Sequence, residues 1–184
     1  MQELSSKLIC IDPGHGGVDN GASYGFVDED ETNLAIGYLL DYELKALKIP
    51  TLLTREKDEY FSLYQRAMLA NIKQAYLFVS IHCDAFHKET ASGMTVHIAK
   101  QHSLKSLQFA RTMDAQLKLQ FPDHVHREIK ESNFYVLSET KMPAILIECE
   151  FLSNPGTRNF LKKPENQRRL GQTIAKGIYF YLKG

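Results

Sequence analysis

The stretch Leu8-Ile9-Cys10-Ile11-Asp12-Pro13-Gly14-His15-Gly16-Gly17 decides how the rest of the sequence is interpreted. Its first four residues form an apolar run typical of a buried strand, and the proline and glycines that follow indicate a tight loop. This pattern places His15 at the rim of a sheet. A histidine in such a loop is either an ordinary loop residue or a metal ligand or catalytic group, and both interpretations stay open at this point.

The composition predicts one globular domain over residues 1–184. Basic and acidic residues balance at 22 each, so no net charge attracts the chain to nucleic acid or to an anionic membrane. No window approaches the roughly 20 apolar residues of a membrane span, and the N-terminus lacks a signal-peptide pattern. We therefore expect neither nucleic-acid binding nor membrane insertion.

The three cysteines do not indicate a disulfide framework, because their number is odd and no spacing pairs them. Cys10 and Cys149 lie in apolar runs and are interpreted as small core residues. Cys83 adjoins a histidine motif, and a role as a metal ligand stays open for it.

Amphipathic segments alternate with apolar runs along the chain. Helical spacing predicts helices over 31–47, 62–73, 103–119 and 164–182. Apolar runs predict strands over 8–11, 50–54, 76–81, 93–98, 134–137 and 143–148. Segment 121–131 is interpreted as a loop and 154–156 as a turn. The alternation indicates an α/β domain with a mainly parallel sheet covered by helices on both faces.

Three predicted strands lead into side chains that can bind a metal ion or transfer a proton, namely His15, His82 and Glu148. Ligands in open α/β sheets bind beyond the carboxyl ends of the strands, so these side chains are expected to meet. Glu29, at the helix that returns from the first strand, could reach the same rim. Its alternative role is to stabilise the N-terminus of that helix.

Two histidines and one carboxylate form a donor set known from catalytic zinc sites, which leave one position open for water. A second carboxylate could then take a proton from water and pass it to a leaving nitrogen. The ligands are far apart in sequence, so their spacing alone does not decide whether a metal site exists. A serine nucleophile at Ser80 and a phosphate loop at the glycines are disfavoured, because their flanking motifs are absent.

Several motifs give the chain a resemblance to a known family. They are D-P-G-H-G-G at 12–17, E-D-E-T-N-L-A-I at 29–36, T-R-E-K-D at 54–58, S-L-Y-Q-R at 62–66, V-S-I-H-C-D-A at 79–85, F-Y-V-L at 134–137, and P-A-I-L-I-E with F-L-S-N at 143–154. The chain resembles the zinc-dependent N-acetylmuramoyl-L-alanine amidases of the amidase-3 type, found as autolysins, sporulation lysins and phage endolysins. The motifs cover nearly the whole chain in the family's order.

The resemblance implies that His15, Glu29 and His82 hold one zinc ion and that Glu148 is the catalytic carboxylate. Glu29 is favoured over Glu31 because the family's ligand lies five positions before the leucine of N-L-A-I. The implied fold has a twisted central sheet, and the implied partner is peptidoglycan. The expected reaction is hydrolysis of the amide between N-acetylmuramic acid and L-alanine.

Two further positions are candidates for substrate binding. Lys130 stands where the family often has a lysine, so it is expected either to bind the peptide stem or stabilise an oxyanion, or to be a solvated surface residue. Glu150 stands where the family usually has glycine. If the strand continues, Glu150 shares a face with Glu148, and two close carboxylates raise one pKa. If the strand bends, Glu150 faces solvent.

The remaining family positions predict structural features. Arg55 and Arg66 are expected to form ion pairs with Asp58 or its neighbours. Segment 87–92 is too short for the inhibitory helix that some periplasmic relatives insert there, so the site is expected to be open without an activator. The histidines that match no ligand position are His87, His97, His102, His124 and His126.

Two rival functions are compatible with these motifs. A zinc peptidase acting on the stem peptide would use the same chemistry, and a non-catalytic wall-binding or regulatory domain could keep the fold. The complete set of candidate residues favours the amidase. We expect action at the cell wall, as a phage-released endolysin or as the catalytic domain of an autolysin with a wall-binding module outside this chain.

Overall fold

The computed structural model describes residues 4–184. The strands of its main sheet are β1 (Ile9–Pro13), β4 (Thr51–Leu53), β5 (Leu77–Asp84), β6 (Thr95–Ala99), β7 (Lys130–Ser132) and β8 (Ala144–Phe151). A hairpin of β2 (Ser23–Tyr24) and β3 (Val27–Asp28) stands apart from it. The helices are α1 (Glu29–Ala46), α2 (Leu63–Ile72), α3 (Leu104–Gln120), α4 (Tyr135–Ser138), α5 (Pro155–Leu161) and α6 (Pro164–Lys183).

The main sheet has the strand order β4-β1-β5-β8-β6-β7. Every neighbouring pair is parallel except β6 and β8, which are antiparallel. The predicted mainly parallel sheet is therefore confirmed. Among residues 4–184, no helix is both long and apolar enough to cross a membrane.

Helices cover both faces of the sheet, as predicted, and the strands divide their side chains between them. Ile9 and Ile11 of β1 belong to the larger core, which also takes buried residues from α1, α3 and α6. Cys10 lies between them and belongs to a smaller cluster with Val136 and Leu137 of α4 and residues of α2. Burial on both faces explains why the central strands are continuous apolar runs.

The same alternation positions two candidate site residues. His82 on β5 follows Phe78 by four residues, and Glu148 on β8 follows Leu146 by two, so both lie on the face of the smaller cluster. His82 and Glu148 are also register partners on adjacent parallel strands. The fold therefore places them side by side near the carboxyl ends of β5 and β8.

Some sequence-based assignments were wrong. Residues 134–137 were predicted as a strand, but Tyr135–Ser138 is the helix α4, because a run of four apolar residues carries no decisive period. Lys130–Ser132, in the segment interpreted as a loop, pairs with β6 as an edge strand. The turn at 154–156 begins the helix α5, which Asn154 caps. The helical spacing over 62–73 predicts an inward position for Leu63, but this residue is 54% exposed.

Candidate metal centre and catalytic cleft

His15, Glu29 and His82 converge at the carboxyl end of the sheet. One donor atom from each residue lies within 4.8 Å of those of the other two. Glu29 Oε1 is 3.3 Å from His15 Nε2 and 2.9 Å from His82 Nδ1. Glu31, the alternative to Glu29, is exposed on the helix surface. The structure thus brings together the three residues that the resemblance implies as ligands.

Backbone conformation and two arginines hold His15 in place. His15 has a φ of 62°, in the left-handed region that residues other than glycine seldom adopt. Arg66 donates to the carbonyl oxygens of Pro13 and His15 at 2.8 and 2.6 Å. Arg55 donates to the carbonyl oxygens of Pro13 and Gly14, both at 3.0 Å. These bonds stabilise a loop shape that would otherwise be costly.

The predicted ion pairs of these arginines with Asp58 or its neighbours are absent from the described residues, although Arg66 does form an ion pair with another residue. Arg66 pairs with buried Asp12 at 2.9 Å, and Thr54 and Ser80 also donate to that carboxylate. The hydrogen bonds of Arg55 go to carbonyl oxygens instead. Asp58 accepts a hydrogen bond from the Gly17 amide. The arginines therefore act mainly by satisfying backbone groups of the loop and its surroundings.

Two glycines make room for the candidate ligands. A Cβ added to Gly14 would lie 2.2 Å from His82 Cε1, so the imidazole packs directly against the glycine backbone. A Cβ added to Gly21 would lie 2.6 Å from Glu29 Oε2 and 2.7 Å from His15 Cδ2. Both positions require glycine because the ligand side chains lie against the backbone where a Cβ would stand. Gly21 also has a φ of +65°, which residues with a side chain rarely adopt.

Hydrogen bonds orient the candidate ligands. Asp19 Oδ2 lies 2.9 Å from His15 Nδ1, which leaves Nε2 facing Glu29. Glu29 accepts hydrogen bonds from the amides of Ala22 at 2.9 Å and Cys83 at 3.1 Å. A carboxylate behind a histidine is the usual partner of a metal ligand, because it fixes the tautomer and the ring orientation. Sequence reasoning missed Asp19; its position four residues after His15, in an Asp-Asn-Gly turn, was the available signal.

Interactions among the candidate ligands shift the pKa values of Glu29 and His15. Burial opposes ionisation of Glu29, but the hydrogen bonds and charges of His15 and His82 hold the pKa of its carboxyl well below the usual value. Burial lowers the pKa of His15, whereas Glu29 and Asp19 favour its imidazolium and raise the pKa overall to about 9. Glu29 is therefore ionised at neutral pH and supplies the negative donor of the group.

Glu148 stands beside this group in a different environment. Glu148 is 9% exposed, and its Oε2 atom is buried without a hydrogen-bond partner in the described part of the chain. Burial, followed by the nearby carboxylates of Asp84 and Glu29, raises its pKa well above the usual value, and Lys130 opposes this rise. An unpaired buried carboxyl oxygen next to a candidate metal centre is typical of a functional group.

The centre opens into two adjoining clefts. The large cleft has a volume of about 370 Å³, and its own wall includes Asp84, Phe134, Tyr135, Leu146 and Glu148. The small cleft has a volume of about 70 Å³, and its own wall includes Gly14, Asp19, Tyr60, Phe61 and Arg66. The two clefts share His15, Leu63, His82 and Val136. The exposed Leu63 thus lies at the border between the two clefts.

Glu150 lies apart from both clefts, and neither alternative drawn from the sequence holds, because its side chain neither joins Glu148 in the large cleft nor faces solvent. Strand β8 continues to Phe151, but an irregularity in its pairing with β5 after Glu148 changes the register. The Glu150 side chain is 1% exposed and accepts a hydrogen bond from the Gly93 amide at 2.7 Å. His124 Nδ1 lies 2.9 Å from its other oxygen. These contacts fasten two loops to the sheet.

The other histidines and the cysteines lie outside the candidate centre. Among residues 4–184, only His15, Glu29 and His82 form a cluster able to hold a metal ion. The thiols of Cys10, Cys83 and Cys149 are free and buried. Cys83 hydrogen-bonds with Cys149, and burial followed by that contact raises the pKa of Cys83 well above its usual value. Cys83 therefore stays outside the cluster of candidate ligands, and its sulfur contacts Cys149 instead.

Comparisons with known proteins agree with this geometry. A family model described as N-acetylmuramoyl-L-alanine amidase, Amidase_3, matches residues 9–179. The germination-specific N-acetylmuramoyl-L-alanine amidase of Bacillus subtilis is 29% identical over 197 residues, which cover 98% of this chain and 83% of that protein. The probable cell wall amidase LytH of Staphylococcus aureus is 34% identical, with 97% of this chain and 60% of LytH covered.

A solved structure shows the same fold. The N-acetylmuramoyl-L-alanine amidase from Clostridium difficile 630 superposes with a TM-score of 0.93 at 35% identity, covering 97% of each chain. The family match spans most of the chain and includes all the residues of the centre described above. The chain therefore belongs to the amidase-3 family of N-acetylmuramoyl-L-alanine amidases, hydrolytic enzymes that act on the bacterial cell wall.

Proposed function

We propose that residues 1–184 form a single catalytic domain that hydrolyses, with zinc, the amide between the lactyl group of N-acetylmuramic acid and L-alanine in peptidoglycan. The observation that supports this most directly is the convergence of His15, Glu29 and His82 beside the buried carboxyl of Glu148. Family membership supports peptidoglycan as the substrate.

The donor chemistry fits zinc. Two imidazole nitrogens and one carboxylate oxygen are a common catalytic zinc set, and they leave a position for water or substrate. His15, Glu29 and His82 would hold the ion. When bound, zinc acts as a Lewis acid that lowers the pKa of water and polarises the amide carbonyl.

Glu148 is the residue that moves the proton. Its carboxyl borders the large cleft next to His82, and its burial strengthens its affinity for a proton. Such a group can accept the proton of the attacking water and deliver it to the alanine nitrogen as the amide breaks. The reaction then yields a free lactyl carboxylate on the glycan and a peptide with a free N-terminal alanine.

Lys130 is proposed to interact with the peptide stem. It is exposed on the edge strand β7, and its positive charge opposes the rise that burial causes in the pKa values of Glu148 and Asp84. An exposed ammonium whose charge acts on these two residues is placed to attract a carboxylate of the peptide. Glu150 is proposed to be structural instead, since its carboxylate is buried and occupied by Gly93 and His124.

Digestion of purified cell walls tests the reaction. With zinc present, mass spectrometry should find glycan strands without peptide and peptides that begin with alanine; a chelator should abolish both. Cleavage within the peptide, with alanine left on the glycan, would instead identify a zinc peptidase. Zinc-loaded protein that binds walls without releasing either product would identify a non-catalytic wall-binding domain.

The site is proposed to work without an activator, at the cell wall. The loop between β5 and β6 is short, and both clefts are formed by the chain itself. Purified protein with zinc should therefore release product from walls without an added partner. Activity that appears only after a second protein is supplied would show that the site needs activation. A wall-binding module outside this chain is also proposed, because this chain matches only 36% of the length of the relative LytC from Bacillus subtilis.

A further inference from the structure

We infer that the two clefts hold opposite sides of the scissile amide: the peptide stem lies in the large cleft and the muramoyl group in the small cleft. This inference rests on the proposed function, because it uses Glu148 as the group that protonates the leaving nitrogen. It assigns Tyr135 to recognition of the peptide and Tyr60 to recognition of the glycan.

The topology of the sheet separates the clefts in space. The small cleft reaches Asp12 of β1, the loop that follows β1, and Phe61 in the segment before α2. The large cleft reaches β8 and α4, including Leu146 and Tyr135. Strand β5, which carries His82, lies between β1 and β8. The candidate metal centre therefore lies at the junction, with one cleft on each side.

The position of Glu148 fixes the direction of the substrate. Glu148 lines the large cleft and is not part of the wall of the small cleft. The nitrogen that leaves with alanine has to lie within reach of the acid that protonates it. If the muramoyl group occupied the large cleft, that nitrogen would point toward Tyr60 and away from Glu148. The peptide must therefore extend over Glu148.

The sizes of the two clefts agree with this direction. The large cleft, of about 370 Å³, has room for several peptide side chains, whereas the small cleft, of about 70 Å³, suits the compact lactyl unit.

Each cleft carries an exposed aromatic side chain on its own wall. Tyr135 is 39% exposed in the large cleft, and Tyr60 is 53% exposed in the small cleft. A tyrosine offers an apolar ring to a peptide side chain or a sugar face and a hydroxyl to polar groups. The two residues therefore allow the two halves of the substrate to be tested separately.

The test compares kcat/KM for soluble muropeptides. The peptide gain is kcat/KM for a disaccharide that carries a tetrapeptide, divided by kcat/KM for a disaccharide that carries a dipeptide. The glycan gain is kcat/KM for a tetrasaccharide divided by kcat/KM for a disaccharide, where both substrates carry a dipeptide. Tyr135→Ala should reduce the peptide gain by roughly 2- to 10-fold and leave the glycan gain unchanged. Tyr60→Ala should do the reverse. Tyr42→Ala, an exposed tyrosine in neither cleft, is the control and should change neither gain.

Binding provides a second measurement that needs no turnover. In Glu148→Gln protein, a free tetrapeptide stem should shift the backbone amide NMR signals of residues 134–136, and a free muramoyl disaccharide those of residues 58–61. Exchanged gains, exchanged NMR shifts, or gains that neither tyrosine variant changes would overturn the inference. Product analysis of the same digests tests the reaction itself: alanine retained on the glycan refutes the proposed function, whereas correct products with exchanged gains refute only the orientation.

Discussion

Replacing Gly14 by alanine should damage the candidate metal centre through one steric contact. The new Cβ would stand 2.2 Å from His82 Cε1 and 2.3 Å from Nε2, whereas ordinary contact begins at 3.4 Å. The imidazole must therefore move by about 1.2 Å relative to the loop. The φ of Gly14 is not in the left-handed region, so backbone strain does not contribute.

The magnitude follows from how sensitive such sites are to displacement. Disturbing the groups that orient a metal ligand typically costs about 10- to 100-fold in metal affinity. Misplacing a reacting group by about 1 Å can cost about 100-fold in rate. For Gly14→Ala we expect zinc affinity to fall by about 10- to 100-fold, and kcat/KM at saturating zinc to fall by about 100-fold.

The assay combines zinc competition against a chromogenic chelator with release of alanine-started peptides at saturating zinc. Gly177→Ala is the matched control, because its Cβ would meet the flexible Met113 side chain at 2.7 Å on a face remote from the centre. That variant should lose up to about 3 kcal/mol of unfolding free energy through overpacking, with zinc affinity unchanged. Wild-type zinc affinity and turnover in Gly14→Ala, or equal zinc loss in the control, would refute the steric reasoning.

Four further predictions concern other parts of the site. Glu148→Gln should bind zinc normally and lose about 100-fold or more in kcat, measured as product release beside zinc content. Arg66→Met leaves Asp12 buried and unpaired, so urea denaturation should show a loss of about 3–5 kcal/mol, only partly recovered in Arg66→Lys. Burial and nearby positive charge lower the pKa of His97 to about 4, below the unfolded value near 6.5. Unfolded chains therefore take up a proton first on acidification, and stability should fall by up to about 3 kcal/mol between pH 6.5 and 4, a loss absent in His97→Gln. Lys130→Met should raise KM several-fold for stem peptides with a free carboxylate but not for their amidated forms, with kcat less affected.

The residues of the centre could be predicted because their signals are local. Glycines around His15 and apolar strands leading to His82 and Glu148 already place these side chains at one edge of a parallel sheet. The choice of Glu29 and of the substrate needed the family resemblance, since acidic residues at a helix start have an ordinary explanation.

Long-range geometry was not predictable. The irregularity after Glu148 turns Glu150 toward Gly93 and His124, and the sequence contains no sign of an altered register. The run 134–137 has β-favouring residues, yet tertiary packing makes it a short helix whose aromatic residues border the large cleft. Arg55 was expected to meet a carboxylate, but carbonyl oxygens of a loop distant in sequence compete successfully for its donors.

Arg55 and Arg66, which hydrogen-bond to the backbone around His15, determine whether the site can form before an ion binds. Their partners are carbonyl oxygens of the polypeptide, so the loop is shaped by interactions that involve no ion. Small zinc-dependent domains unfold when the zinc ion is removed, because zinc binding supplies their folding free energy. Here the apoprotein should stay native, and adding zinc back after dialysis against a chelator should restore full activity without a refolding step.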